Sequence, residues 1–350
     1  MDALSRSLKT SPELYPHTLD VVSDAVGLMR LSESALRAAS FLDARALAPG
    51  AALQWVAWPQ LQAAVDQAGL GERFGFIFHL GHVGSTLLSR LMGAHPSVLS
   101  LREPLPLRTL AQMALDMEAP ESLWGAAGWE ARASAFLQLW SRSFAPDQLS
   151  IVKATSFASG LAGRLLTRAS HPRAVVIYSR PEPYLATVLG GPNTHLDIRA
   201  SAADRLKRLH RMLGGPRWRL HELAYPEIAA MSWAAEMTCL NAAAWAAPGR
   251  ILWLDFDRLL LRPQACLAAA FAHFDRPVSP EDTAAIVAGP DMRRYSKAPE
   301  HAYDAGLRGR VLDEARRLRG REIAQGLAWL DGAAAECAPI AAALQRAEAE

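Results

Sequence analysis

Residues 74–93 read Phe-Gly-Phe-Ile-Phe-His-Leu-Gly-His-Val-Gly-Ser-Thr-Leu-Leu-Ser-Arg-Leu-Met-Gly. Phe74 to Leu80 is a short aromatic and apolar run, the right length for a strand buried on both faces. Gly81 and Gly84 punctuate the turn that follows. Ser85 to Gly93 then carries leucines at 87, 88 and 91, an amphipathic helix stopped by His95-Pro96. The spacing predicts strand, turn and helix in direct succession. Amides at a helix N-terminus point outward and carry partial positive charge, so such a turn favours an oxyanion. Gly84 lets an anion approach the backbone, and the Ser85 and Thr86 hydroxyls add donors. No lysine precedes Ser85, so the GxxxxGK[ST] pattern of nucleoside-triphosphate machines is not met. His79-x-x-His82 straddles the strand end and the turn and reads as no metal site.

Outward from this unit, Val98 to Leu101 is a second strand, ending in Arg102-Glu103-Pro104. Helical segments follow at Leu105–Met117 and Trp129–Phe144. Leu149–Ala154 and Arg173–Ser179 are further strands, separated by a helical Ser159–Ala169. A broken helical region runs from Arg180 to about Ala246, then a last strand, Arg250–Asp255, and a helix, Pro263–Phe274. Buried strands alternating with helices predict an α/β fold with a parallel sheet covered on both faces, whose first strand–helix turn is the ligand site. Residues 1–70 read as a mostly helical N-terminal extension, with amphipathic patches at Ser23–Ala39 and Trp58–Ala68. Residues 71–335 read as the α/β domain and 336–350 as an alanine-rich tail.

The chain has 350 residues, 51% of them hydrophobic and 21% charged, the balance of an ordinary globular protein rather than a disordered or rod-like one. Its net charge is +2, too small for a protein that tracks nucleic-acid phosphates, so no nucleic-acid partner is expected. Cys239, Cys266 and Cys337 are odd in number, far apart and without CxxC spacing, which predicts reduced core thiols. The first twenty residues lack a signal peptide's apolar run. The longest apolar stretch, Ala229 to Ala247, is broken by Ser232, Glu236, Thr238 and Asn241, a buried helix rather than a membrane span. A cytoplasmic protein is the expectation.

Four segments carry a family resemblance. Residues 81–104, GHVGSTLLSRLMGAHPSVLSLREP, resemble the opening signature of the sulfotransferase family, PRSGTTLL or PKSGTTWL, followed by a helix, AHP and a strand ending in an acidic residue. His171 to Pro181, HPRAVVIYSRP, resembles its strand ending in RDP or RNP. Val152-Lys153-Ala154-Thr155 resembles its EKTP-like strand end, and Arg250 to Pro263, RILWLDFDRLLLRP, its VLVLRYEDLLADP. The four lie in family order over residues 74–280.

The resemblance implies a P-loop-type three-layer α/β/α domain. It also implies transfer of a sulfuryl group from 3′-phosphoadenosine 5′-phosphosulfate, without a metal, to a hydroxyl or amine of a small-molecule or peptide acceptor. It places the donor's 5′-phosphosulfate on Gly81, His82, Val83, Gly84, Ser85 and Thr86, and its 3′-phosphate on Arg180. A serine eight residues after that arginine is replaced by Val188, with Thr187 beside it as the substitute. Glu103 matches the general base of the tyrosylprotein and many bacterial members. His82 stands where the family has arginine or lysine, and Lys153 is a candidate for the missing cation. Arg294 and Lys297 match a basic segment that closes over the 3′-phosphate. Two other readings share the fold: a kinase with Asp255 or Asp257 on magnesium, and a non-catalytic nucleotide-binding protein.

Overall fold

The computed structural model describes residues 1–47, 52–296 and 300–349. Helix α1 (Ala3–Thr10) leads into strands β1 (Leu14–Asp20) and β2 (Ala25–Arg30), then helix α2 (Glu33–Ala38), a 3₁₀ turn at Ala44–Ala46, strand β3 (Gln54–Ala57) and helix α3 (Trp58–Ala68). The three strands form an antiparallel sheet in the order β1-β2-β3. The N-terminal part thus holds an antiparallel sheet beside its helices, where a mostly helical extension was expected, and the amphipathic patch Ser23–Ala39 divides into β2 and α2. The apolar residues at 26 and 28 sit two apart, the spacing of a strand, and both are buried against the core. Asp24, at φ +46°, turns the chain so that β2 can pair back on β1.

Past residue 70 the α/β expectation holds. Strands β4 (Phe74–His79), β5 (Val98–Arg102), β6 (Leu149–Lys153), β7 (Arg173–Tyr178) and β8 (Ile251–Asp255) form one parallel sheet, ordered β5-β6-β4-β7-β8. Every residue of β4 is buried, as a central strand covered on both faces requires. Between β4 and β5 lies helix α4 (Ser85–Gly93); α5 (Leu105–Met113) and α6 (Gly125–Trp140) precede β6. A 3₁₀ segment (Ser156–Leu161) and α7 (Ala162–Leu166) lead to β7, and α8 (Pro181–Gly190), α9 (Thr194–Ala200), α10 (Ala202–Met212) and α11 (Tyr225–Ala246) to β8. The chain ends in α12 (Phe256–Leu261), α13 (Pro263–His273), α14 (Pro280–Ala288), α15 (Ala305–Glu336) and α16 (Ala338–Glu348).

Helices α4 and α13 pack on one face of the sheet, while α7, α8 and α11 pack together as a second helical layer. Helix α16, in the alanine-rich segment, packs on α11 and α15, with Ile340 and Ala343 fully buried. One hydrophobic core runs from Leu8 to Ala347 through both sheets. Because the five strands are parallel, the turns after β4, β5, β6, β7 and β8 all open on one edge. No helix among the described residues is long and apolar enough to cross a membrane.

Candidate functional site

The turn after β4 has the backbone that an anion cradle needs. Gly81, His82 and Gly84 take left-handed φ values of +86°, +57° and +69°, which tip successive amides toward one side. Gly84 is required twice over. Its φ disfavours any side chain, and an added Cβ would lie inside the Phe256 ring packed on it. His79 locks the turn from below: its Nδ1 accepts from the Gly81 N–H at 2.9 Å, and its Nε2 donates to Ala154 O at 2.8 Å. His79 is thus a structural brace between β4 and the end of β6. His82 Nε2 lies 3.3 Å from Asp197 Oδ2, so the residue in the family's cationic position is engaged with a carboxylate of α9.

Beside the turn is a cavity of about 220 Å³. Its floor is His82 to Leu87, and Thr187 and Thr194 form one wall. Phe256 and Arg308 form another, and Tyr295, Ser296 and Tyr303 the roof. Two buried polar atoms along it have no hydrogen-bond partner, Thr86 Oγ1 on α4 and Nη2 of Arg308 on α15. Arg308 is 4% exposed. Its Nε donates to Asp257 Oδ1 at 2.9 Å, its Nη1 to Thr187 Oγ1 at 2.7 Å, and its Cζ lies 4.9 Å from the Phe256 ring centroid. Three contacts fix the guanidinium and leave one fork atom over the cavity. A buried cation with an unmet donor is costly unless something accepts from it. A hydrogen-bonding group placed in the cavity could reach both atoms.

The roof is a two-stranded segment. Tyr295 N–H donates to His301 O at 2.7 Å, Tyr303 N–H to Arg293 O at 3.0 Å, and Arg294 pairs with Ala302. Arg90 of α4 tethers it, donating from Nε to Ser296 O at 3.0 Å. Arg294 is exposed. Lys297, the other basic residue expected here, lies outside the described residues.

Glu103 and Lys153 meet at the C-terminal edge of the same sheet: Lys153 ends β6, the strand next to β4, and Glu103 follows β5, two strands and therefore about 10 Å across from β4. Lys153 is fully buried and its Nζ donates to Glu103 Oε1, so its ammonium is engaged with the carboxylate. Arg180, at the end of β7, instead lines a separate pocket with Glu182, Arg316 and Asp331. The structure thus gathers residues 82–86 and Thr187 in one cavity, with Gly81 behind them bonded to His79, sets Glu103 with Lys153 nearby, and leaves Arg180 in a different pocket. Asp255 caps α12 by accepting from the Arg258 N–H at 2.9 Å, and burial pushes its carboxyl above the ordinary range.

Sequence reasoning missed Arg308, Asp197, Phe256 and the two roof tyrosines. Arg308 stands out only once the helix is seen in three dimensions. Residues 308, 312, 315, 323, 326, 330 and 333 are the buried stripe of α15, so an arginine occupies a core register.

No protein-family model and no curated protein matches this chain. Solved structures similar to it include a sulfotransferase domain from the curacin biosynthetic pathway, 15% identical over 68% of this chain and 86% of that one, at TM-score 0.38. Sulfotransferase STF9 from Mycobacterium avium is 11% identical over 75% and 82%, at TM-score 0.39. The sulfotransferase domain of the Synechococcus PCC 7002 olefin synthase is 17% identical over 69% and 86%, at TM-score 0.37. At these values the chain is similar to sulfotransferases without the likeness deciding its chemistry, which is argued below from the cavity's own residues.

Proposed function

We propose that this protein is a sulfotransferase that takes its sulfuryl group from 3′-phosphoadenosine 5′-phosphosulfate and transfers it to a hydroxyl or amine. The observation that carries the reading is the single cavity in which a helix N-terminus, Thr86 Oγ1 and Arg308 Nη2 all lack acceptors. A donor with separate 5′ and 3′ anionic groups supplies acceptors for both ends. In this reading the amides of residues 82–86, with the Thr86 hydroxyl, hold the 5′ end and bear the charge that develops on its leaving oxygen. Arg308 and Thr187 hold the 3′-phosphate, the place that the family resemblance gives to Arg180, and Arg294 adds charge at the roof.

Glu103 is the general base. Its carboxylate takes the proton from the attacking hydroxyl or amine, and Lys153 fixes one of its oxygens. No magnesium carboxylate is needed, and Asp257, one of the two candidates for that role, is bonded to Arg308. Titration with adenosine 3′,5′-bisphosphate and, separately, with magnesium–ATP tests the reading. Micromolar binding of the bisphosphate without magnesium supports it. Selective binding of magnesium–ATP replaces it with a kinase, and binding of neither leaves a non-catalytic fold.

A further inference from the structure

The N-terminal region meets the edge of the parallel sheet along β5, through α2 and through residues 39–46, and the second of these runs beside Glu103. Glu103 has a φ of +56°, a left-handed backbone that residues with a Cβ avoid and that persists only where the surroundings enforce it. Its own N–H donates to Lys153 O at 2.7 Å. The residues on either side are bridged by Leu42, which is fully buried. The Leu42 N–H donates to Arg102 O at 2.6 Å, and the Leu105 N–H donates to Leu42 O at 3.4 Å. The bridge is itself anchored, since buried His17 reaches Asp43 O through Nε2 at 3.0 Å.

Side chains of the same segment face the carboxylate. Arg45 lies with Cζ 3.3 Å from the Phe41 ring centroid and Nη2 3.9 Å from Glu103 Oε2. Lys153 Nζ is 6.0 Å from the same ring. Glu103 therefore sits between two cations, one fully buried from the sheet and one from the N-terminal region whose side chain is 57% exposed. The Glu103 side chain is only 16% exposed, and Arg45 is the exposed partner beside its second carboxylate oxygen.

We propose that the N-terminal region is a working part of the acceptor side: Leu42 clamps Glu103 in its left-handed backbone, and Arg45, seated on Phe41, is a positioning residue for the carboxylate where an acceptor reaches it. The Arg45 half rests on Glu103 being the base; the clamp half stands without it. Arg45 also binds Asp43 through both carboxylate oxygens, so its charge is largely balanced and its part is placement rather than attraction of an anionic acceptor.

Amide hydrogen exchange on the full-length chain tests the clamp with no acceptor present. Leu42→Pro removes the donor to Arg102 O and speeds exchange at Glu103 and Leu105 by about tenfold or more, leaving the α4 amides unaltered. Unchanged exchange at Glu103 and Leu105 overturns the clamp. Arg45→Ala, a change at an exposed side chain, leaves that exchange and bisphosphate affinity as they are. It lowers sulfuryl transfer to 4-nitrophenol about tenfold through kcat, and Arg45→Lys recovers most of it. A wild-type rate in Arg45→Ala, or a loss that Lys does not recover, overturns the positioning role. A wild-type chain that binds no bisphosphate sinks the sulfotransferase reading instead, a result distinct from either of these because the exchange measurement still reports on Leu42.

Discussion

Replacing Arg308 by methionine separates the cavity's binding role from its structural one. Methionine keeps an unbranched stem over Phe256 and removes the fork that reaches Asp257, Thr187 and the cavity. In the unliganded chain the loss is modest, because Asp257 is 24% exposed and rehydrates, while Thr187 Oγ1 still donates to Pro183 O at 2.7 Å. Removing a buried guanidinium atom with no partner also relieves about 1–3 kcal/mol of uncompensated desolvation, so the melting temperature stays near wild type or rises. In the complex the lost interaction is a charge-assisted hydrogen bond to a phosphate, worth about 1.5–3 kcal/mol. At about 1.4 kcal/mol per decade, that is a weakening of roughly ten- to more than a hundredfold.

The assay is calorimetric titration of adenosine 3′,5′-bisphosphate, with thermal melts run alongside. Wild type should be stabilised by the ligand by about 2.7 kcal/mol at a hundred times its Kd, and the variant at the same ligand concentration by far less. Arg308→Lys should not rescue, since an ammonium cannot bridge three directions from one plane. Arg180→Ala, whose guanidinium lines the other pocket, should stay within about threefold of wild type. Bisphosphate affinity unchanged in Arg308→Met, or lost in Arg180→Ala, refutes the placement of the second anion.

Glu103→Gln should abolish transfer while bisphosphate affinity stays within about threefold, because the carboxylate lies outside the donor cavity; surviving turnover removes it as base. Gly84→Ala puts a methyl group into the Phe256 ring at φ +69°, so bisphosphate binding should fall below detection and the melting temperature should drop. Near-normal binding there would mean that the turn is not the cradle. Asp255 is buried, and desolvation raises its carboxyl above the usual aspartate range near 3.9, so its ionisation opposes folding. Its contribution is fully present below that value and is lost as pH rises through the raised one. Asn still caps a helix, so Asp255→Asn should be relatively more stable than wild type at neutral pH, with the advantage fading in melts run toward pH 4. An advantage that instead grows on acidification contradicts the assignment.

The five parallel strands were legible because each is a short apolar run bounded by polar or turn residues, a pattern that burial on both faces imposes directly. The 81–86 turn was legible for a related reason: its two glycines mark backbone that other residues resist, and both have positive φ. The N-terminal sheet was not. Val26 and Leu28 alternate only briefly, and the hairpin's partner strand carries Pro16 and His17, whose burial depends on contacts with Asp43 far along the chain. Arg308 was obscured by its setting, since α15 holds arginines at 308, 310, 316, 317, 319 and 321, and only the three-dimensional stripe tells the buried one from the solvated ones. Arg180 shows the opposite failure. A strand-end position near the ligand edge places its Cα well, but the side chain runs to the pocket beside α15 and α16.

The roof segment has a kinetic meaning. A space of about 220 Å³ is below the roughly 300–1,000 Å³ that small-molecule pockets occupy, so the nucleotide of the proposed reaction needs Tyr295, Ser296 and Tyr303 to draw back from the turn before it enters. Arg90 of α4 ties Ser296 down, donating to its carbonyl at 3.0 Å, while the backbone hydrogen bonds of Tyr295 and Tyr303 run within the segment itself. In the proposed reaction each cycle then needs two such openings, one admitting the loaded nucleotide and one discharging the spent one. The slower opening sets a ceiling on throughput that no improvement at Glu103 can raise.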